Sequence, residues 1–166
     1  MKTGVITDGI SRDFEHALNV MDEFGLQFAE LQFVWDKEVG FLEDAEVQKV
    51  NELLDLHQIK VSNICHHIFA GMPMTTKPGE PLHIQHLDRL KRCMEIAHAV
   101  GSQNVRILSP KKEQILFGAH GAEKWNVAKG AWDALLPIIA PALEIAKDAG
   151  KQLVVETGNG TCLLYT

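Results

Sequence analysis

Several features that mark specialised protein classes are missing from this chain of 166 residues. Acidic residues outnumber basic ones by 22 to 16, and no basic stripe with interleaved aromatic residues is present, which argues against a nucleic-acid partner. The three cysteines, Cys65, Cys93 and Cys162, lie far apart, without the CxxC spacing of a zinc site or the density of a disulfide scaffold. No apolar run reaches the about 18 residues of a membrane span. These absences predict a cytoplasmic protein without a membrane partner.

Short apolar runs alternate along the chain with longer segments in which apolar residues recur at helical spacing. With 46% hydrophobic and 23% charged residues, the chain is predicted to form one domain over residues 1–166. The five predicted strands are residues 3–8, 28–35, 60–67 ("KVSNICHH"), 104–110 ("NVRILSP") and 152–157 ("QLVVET"). Strands separated by helices favour a parallel sheet with right-handed crossovers.

The predicted helices have recognisable start and stop signals. Ser11 is the expected N-cap of the first helix, and the second helix is expected from about Asp44. In the last helix, Pro137 and Pro141 each remove a backbone donor, so we expect the regular part to be Ala142–Ala149.

Two architectures fit this order, an open doubly wound sheet and part of a (β/α)8 barrel. The first strand is followed by "TDGISRD", which has a single glycine and not the GxGxxG of a dinucleotide-binding turn, so the barrel is favoured. In both architectures the chemistry lies at the carboxyl ends of the strands. The segment from Lys111 to Gly130 is long for a connection and has no clear period, which suggests a lid.

Polar side chains are concentrated where the predicted strands end. Side chains alternate along a strand, so only one of His66 and His67 can face the site, and His67 is expected because it is in phase with Asn63 and Cys65. The strand-end residues are Asp8, Glu30, Gln32, His66, His67, Arg106, Ser109 and Glu156.

Two of these carboxylates have competing interpretations. Glu156 ends an apolar run, where desolvation is costly unless a metal, a cation or a substrate hydroxyl meets the carboxylate. The alternative for Glu156 is a salt bridge to Arg106 on the adjacent strand. Glu30 is either a solvated strand end or a hydrogen-bond acceptor for a polyol.

The stretches "AELQFVWDKEVG", "KVSNICHHIFAGM", "LKRCMEIAHAVGSQNVRILSP" and "LVVETGNG", in this order, resemble the xylose isomerase-like TIM barrels. This group contains sugar phosphate isomerases and epimerases as well as the endonuclease IV type of enzyme. The "VET" of the fifth strand resembles the metal-binding "VEN" or "VET" of the family. The resemblance implies a divalent metal (Mn, Mg, Co or Zn) in the complete fold, with Glu156 as metal ligand and catalytic acid/base. It also implies that His67 and Arg106 bind the hydroxyl or phosphate groups of a small-molecule sugar or sugar phosphate, to which the strand-end position of Glu30 adds a further substrate-binding candidate.

The sequence departs from the family in its later part. The family's remaining ligands, on the sixth to eighth strands, require about 100 further residues, since a full barrel has about 250. We therefore expect a C-terminally incomplete, partial TIM barrel of about five βα units out of eight. In this partial barrel the metal can be absent. A sugar isomerase or epimerase of this kind is expected to be inactive by itself and, because its sheet edges are open, to form homo-oligomers.

Two other functions stay open at this point. An endonuclease IV type hydrolase is disfavoured, because Ser109 stands where a fourth-strand histidine is needed and the chain is acidic. A non-catalytic sugar-binding module needs only that the strand-end polar groups bind a ligand without turnover.

Overall fold

The computed structural model describes residues 3–111 and 131–156. Its strands are β1 (Gly4–Ile6), β2 (Phe28–Leu31), β3 (Phe33–Val34), β4 (Lys37–Glu38), β5 (Lys60–Cys65), β6 (Asn104–Leu108) and β7 (Gln152–Glu156). Its helices are α1 (Phe14–Glu23), α2 (Asp44–Leu56), α3 (Pro81–Ala99) and α4 (Ala131–Asp148). The predicted lid lies outside the described residues, apart from Lys111 at its start.

Five strands form one parallel sheet in the order β1-β2-β5-β6-β7. Apart from β3 and β4, this is the chain order, and successive strands of the sheet are joined by a helix. The predicted alternation of strands and helices and the predicted parallel pairing are therefore confirmed. A parallel sheet of this kind brings the carboxyl ends of all five strands to one edge.

The helices cover one face of the sheet, and the opposite face, here termed the polar face, carries Glu30, Arg106 and Glu156 as well as the apolar Val154. Val105 and Ile107 of β6 are fully buried in the hydrophobic core, together with Ile64 of β5 and Leu31 of β2. Arg106 lies between Val105 and Ile107, so its side chain points to the opposite face. The core also contains helix residues, among them Phe14, Leu18, Met21, Val47, Val50, Leu54, Leu90, Met94, Ala97, Ile138, Ala142 and Ala146.

The start of α1 differs from the sequence prediction. Asp13, and not Ser11, is the N-cap, because its Oδ1 accepts a hydrogen bond from the backbone N–H of His16 at 3.0 Å. A 3₁₀ turn at residues 7–9 is extended by the bond from Ser11 N to Thr7 O, so the helix begins two residues later than expected. The Ser11 hydroxyl accepts instead from Asp13 N.

The helix predicted over the segment of α4 is confirmed, but the expectation that only residues 142–149 are regular was wrong. The helix runs from Ala131 to Asp148 through both Pro137 and Pro141. The two prolines are one turn apart, with Pro137 exposed and Pro141 half-buried, so the carbonyl groups that lose a donor lie away from the core. Packing of the apolar stripe of Leu135, Ile138, Ala142 and Ala146 against the rest of the core outweighs the loss of those hydrogen bonds.

A short hairpin that the sequence analysis missed follows β2. β3 and β4 pair antiparallel, with Phe33 opposite Glu38 and Val34 opposite Lys37. Val39 N donates to Gln32 O at 2.8 Å and closes the hairpin at its base. The predicted single strand over residues 28–35 is therefore a strand that ends at Leu31, followed by the first arm of the hairpin.

No helix within residues 3–111 and 131–156 has the length and apolar character needed to cross a membrane.

Candidate functional site

Three of the residues predicted for the site lie together on the polar face of the sheet. Cys65 of β5 is the register partner of Arg106 on β6, and its Sγ lies 3.4 Å from Oε2 of Glu30 on β2. Arg106 Nη1 donates a hydrogen bond to Oε2 of Glu156 on β7. The structure thus places Glu30, Arg106 and Glu156 around the Cys65 thiol at the carboxyl-end edge.

The Arg106–Glu156 ion pair joins a buried group to a half-exposed one. The Arg106 side chain is 10% exposed, whereas that of Glu156 is 51% exposed. Arg106 Nε is buried without a hydrogen-bond partner in the described part of the chain, so the guanidinium is only partly satisfied. The salt bridge that was the alternative interpretation of Glu156 is formed, and the carboxylate still reaches solvent.

Cys65 is held in its protonated form by the site. Burial raises the pKa of the Cys65 thiol to about 12, and the negative charges of Glu30 and Glu156 add to this effect, while Arg106 opposes it. A thiol of this kind is not a nucleophile near neutral pH. Cys65 therefore contributes packing and a weak hydrogen bond to Glu30.

The two adjacent histidines have different environments. The side chain of His67 is 42% exposed, and its Nε2 lies 3.3 Å from Nε2 of Gln32. His66 is 5% exposed and contacts Gly40 and the ring of Phe41, beside α3. Burial lowers the pKa of His66 to about 4, although the negative charge of Glu38 works in the opposite direction. His66 is therefore a neutral residue of the interior, and His67 is the histidine with an accessible ring nitrogen.

The hairpin brings a carboxylate to His67 that the sequence analysis did not identify. Glu38 Oε1 accepts from the backbone N–H of His67 at 2.7 Å and lies 2.6 Å from its ring Nδ1. Glu38 itself is 14% exposed. The sequence signal for the hairpin is weak, because the two residues Trp35 and Asp36 separate the apolar pair Phe33–Val34 from the charged pair Lys37–Glu38, and neither pair alternates.

Asp8 has a structural part in this arrangement. Its Oδ1 accepts a hydrogen bond from the backbone N–H of Phe33 at 3.1 Å, which fixes the first arm of the hairpin to the end of β1. The hairpin is also tied to α1, because the indole Nε1 of Trp35 donates to Glu15 Oε2 at 2.7 Å. Trp35 is thus a packing residue of the hairpin.

The described residues do not provide a metal site by themselves. No group of three or more His, Cys, Asp or Glu side chains within residues 3–111 and 131–156 could hold a metal ion. Glu156, the ligand implied by the sequence resemblance, is paired with the guanidinium of Arg106, which already supplies a positive charge there.

Residues 18–166 match the family model of the xylose isomerase-like TIM barrels. The chain belongs to this family. The predicted membership is confirmed, and the five parallel strands with their helices are part of a (β/α)8 barrel. No curated protein is significantly similar to the chain in sequence.

Solved structures with the same fold include several sugar epimerases. A D-tagatose 3-epimerase-like protein superposes with a TM-score of 0.67 at 16% identity, covering 97% of this chain and 55% of that one. The IolI protein with a bound zinc atom has a TM-score of 0.64 at 20% identity, with 98% and 54% covered. D-psicose 3-epimerase in the presence of D-fructose has a TM-score of 0.64 at 12% identity, with 96% and 53% covered. The chain spans about half the length of these proteins.

Proposed function

We propose that this chain is a sugar isomerase- or epimerase-like protein whose strand-end face binds a small sugar. The carrying observation is the ion pair of Arg106 with Glu156 beside Glu30, at the edge of the sheet where barrels of this class hold their active sites. Family membership and the similarity to a D-psicose 3-epimerase support a sugar as the ligand.

Moving a proton between carbons next to a carbonyl needs a base near the C–H bond and positive charge near the oxygen. Glu156 is the base in this proposal, since its carboxylate is half-exposed at the end of β7. Arg106 is the neighbouring positive charge. When substrate binds, its oxygen replaces Glu156 as an acceptor of a hydrogen bond from Arg106. The carboxylate of Glu156 then turns toward the C–H bond.

The remaining polar groups are proposed as partners of sugar hydroxyls. Glu30 presents a carboxylate acceptor, and His67 with Gln32 presents an imidazole nitrogen beside an amide. Three carboxylates, Glu30, Glu38 and Glu156, lie in this region, and the guanidinium of Arg106 is already paired with one of them. This balance of charge favours neutral hydroxyl groups over a phosphate at this part of the site.

A divalent cation is proposed only at Glu156. The structurally similar IolI protein holds a zinc atom, and Mn, Mg, Co or Zn is the metal that the sequence resemblance implies. One carboxylate leaves most of a coordination sphere to water. No step of the proposed proton transfer depends on such a cation.

A non-catalytic sugar-binding module is the second candidate. It is favoured by the same ion pair, because a carboxylate that is bound to a guanidinium must first leave it before it can approach a C–H bond. Solvent exchange separates the two candidates. With the chain in D₂O, a catalytic Glu156 replaces the proton next to the carbonyl of a ketose by deuterium, whereas a binding module does not.

Calorimetric titration with D-fructose tests the binding itself. We expect a dissociation constant of about 1 mM for the wild type and a loss of about five- to tenfold in Arg106→Gln and Glu30→Gln. Glu52→Gln is the matched control, because Glu52 is an exposed residue of α2 that contacts Gln48. Equal affinity in all four proteins would refute the proposed site.

A further inference from the structure

We propose that Glu38 is a positioning residue, which holds His67 in the tautomer protonated at Nδ1 so that Nε2 is a hydrogen-bond acceptor facing the site. That the donor to Nε2 is a sugar hydroxyl rests on the proposed function. The tautomer itself does not.

One oxygen of Glu38 is bound to both ends of His67. Oε1 lies 2.7 Å from the backbone N and 2.6 Å from ring Nδ1, so the carboxylate determines the orientation of the ring relative to its own backbone. The approach to His66 Nδ1 is longer, at 3.3 Å. A carboxylate accepts hydrogen bonds and cannot donate them when ionised, so the ring nitrogen that faces Glu38 must carry the proton.

The second ring nitrogen faces an amide. Gln32 Nε2, a donor, lies 3.3 Å from His67 Nε2, so a neutral ring protonated at Nδ1 satisfies both contacts at once. The opposite tautomer would set two donors against each other at Nε2 and two acceptors against each other at Nδ1. The hydrogen bond of one ring nitrogen thus decides the protonation of the other.

Both partners of His67 come from the hairpin. Gln32 immediately precedes β3, Glu38 is the last residue of β4, and Val39 N donates to Gln32 O at the base. The hairpin is fixed at its first arm by Asp8 and at its tip by Trp35. It therefore presents an acceptor to one ring nitrogen and a donor to the other from a fixed frame.

This arrangement suits a hydroxyl group. A hydroxyl donates one hydrogen bond and accepts others, so it can donate to His67 Nε2 while accepting from the amide of Gln32. A merely structural Glu38 would cap the backbone N–H of His67 and have no effect on the ring. The two accounts differ in what happens when the charge of Glu38 is removed and its shape is kept.

Nitrogen-15 NMR of the imidazole rings measures the tautomer directly. At a pH where the ring is neutral, we expect His67 of the wild type to be protonated mainly at Nδ1. In Glu38→Gln, which keeps an acceptor for the backbone N–H, we expect the ratio of the Nδ1-protonated to the Nε2-protonated form to fall about fivefold. Glu38→Asp should restore part of it. Glu52→Gln is the charge-matched control. The ring of His57, which binds Asp22, is the internal control, because its tautomer ratio should not change in Glu38→Gln.

Gln32→Leu provides an independent arm if Glu38→Gln does not fold. Removing the amide should leave His67 protonated at Nδ1, because Glu38 and not Gln32 sets the tautomer. Three outcomes would each overturn the proposal. His67 of the wild type is protonated at Nε2, the Nδ1-protonated form is lost in Gln32→Leu, or the ratio of the two tautomers is unchanged in Glu38→Gln.

Addition of D-fructose then tests the proposed function separately. Two results together support both proposals. The His67 Nε2 resonance of the wild type shifts on addition of D-fructose, and the affinity for D-fructose is about three- to tenfold weaker in Glu38→Gln. An Nδ1-protonated His67 that responds to Glu38→Gln but not to D-fructose would uphold the positioning by Glu38 and refute the sugar ligand.

Discussion

Arg106 and Glu156 are bound to each other although they are not register partners in the sheet. Arg106 of β6 lies opposite Val154, and Glu156 lies opposite Leu108, so the ion pair runs diagonally toward the carboxyl ends. The guanidinium reaches upward from the interior and the carboxylate lies at the rim. A ligand that approaches this edge meets Glu156 first and Arg106 beneath it.

Removing the charge of Glu156 should destabilise the fold, because Arg106 is left buried without its counter-ion. For Glu156→Gln we expect a loss of about 1–2 kcal/mol in the free energy of unfolding, less than for a fully buried pair because Glu156 is half-exposed. Urea denaturation measures it. The double variant Arg106→Met/Glu156→Gln should recover part of the loss, and a double variant less stable than Glu156→Gln would contradict this account of the pair.

Acid should destabilise the protein through two histidines, the buried His66 and the half-buried His86. The pKa of His66 is lowered to about 4 by burial, and that of His86, whose Nδ1 accepts from Phe69 N, is also lowered by burial and by His83. Because both pKa values are lower in the folded than in the unfolded chain, the unfolded chain binds protons at a higher pH than the folded one. Stability is therefore full above about pH 6.5 and is lost as the pH falls toward 4.

Chemical denaturation at a series of pH values measures this loss. His66 alone should remove about 2 kcal/mol between pH 7 and pH 5. His66→Gln should flatten the profile in that range, even if the variant is less stable at pH 7. A wild-type stability that is constant from pH 7 to pH 5 would show that these histidines are not held neutral.

Much of the fold follows from patterns that are local in the sequence. The alternation around Arg106 and the helical spacing of Val47, Val50 and Leu54 depend only on neighbours in the chain, and both led to the correct elements. The prolines of α4 misled the prediction because their cost was judged locally. Burial of Leu135 and Ile138, a tertiary effect, decided the outcome.

The surroundings of His67 were beyond local reasoning. Glu38 lies 29 residues before His67 in the chain, in a hairpin whose strands have two residues each. Strands this short carry almost no periodic signal. Glu30 and Arg106, in contrast, could be placed near each other because strand ends of a parallel sheet meet at one edge.

Metal binding by this chain should be weak and should depend on Glu156. The described residues contain no group of three potential ligands, and Glu156 must leave Arg106 before it can bind a cation. Calorimetric titration with Mn²⁺ should show an affinity weaker than micromolar, reduced further in Glu156→Gln. Sub-micromolar binding that is undiminished in Glu156→Gln would refute Glu156 as the ligand.

Self-association is expected from the open edges of the sheet. β1 and β7 are edge strands within the described residues, and Leu136, Leu143 and Val155 are 60%, 53% and 43% exposed. Unpaired edge strands and exposed apolar side chains favour contact with a second copy. Light scattering should show a dimer or larger species, and Val155→Lys on β7 should weaken the association. A monomer at every concentration would contradict this prediction.

The most direct test of the account is to map where a ketose binds. Backbone and side-chain NMR spectra recorded during a titration with D-fructose report on the whole chain at once. The account predicts that the perturbed resonances cluster at Glu30, Gln32, His67, Arg106 and Glu156. Perturbations confined to the groove between α3 and α4, which is lined by Met94, His98 and Ile145, or no perturbation at concentrations well above millimolar, would contradict a sugar site at the strand ends.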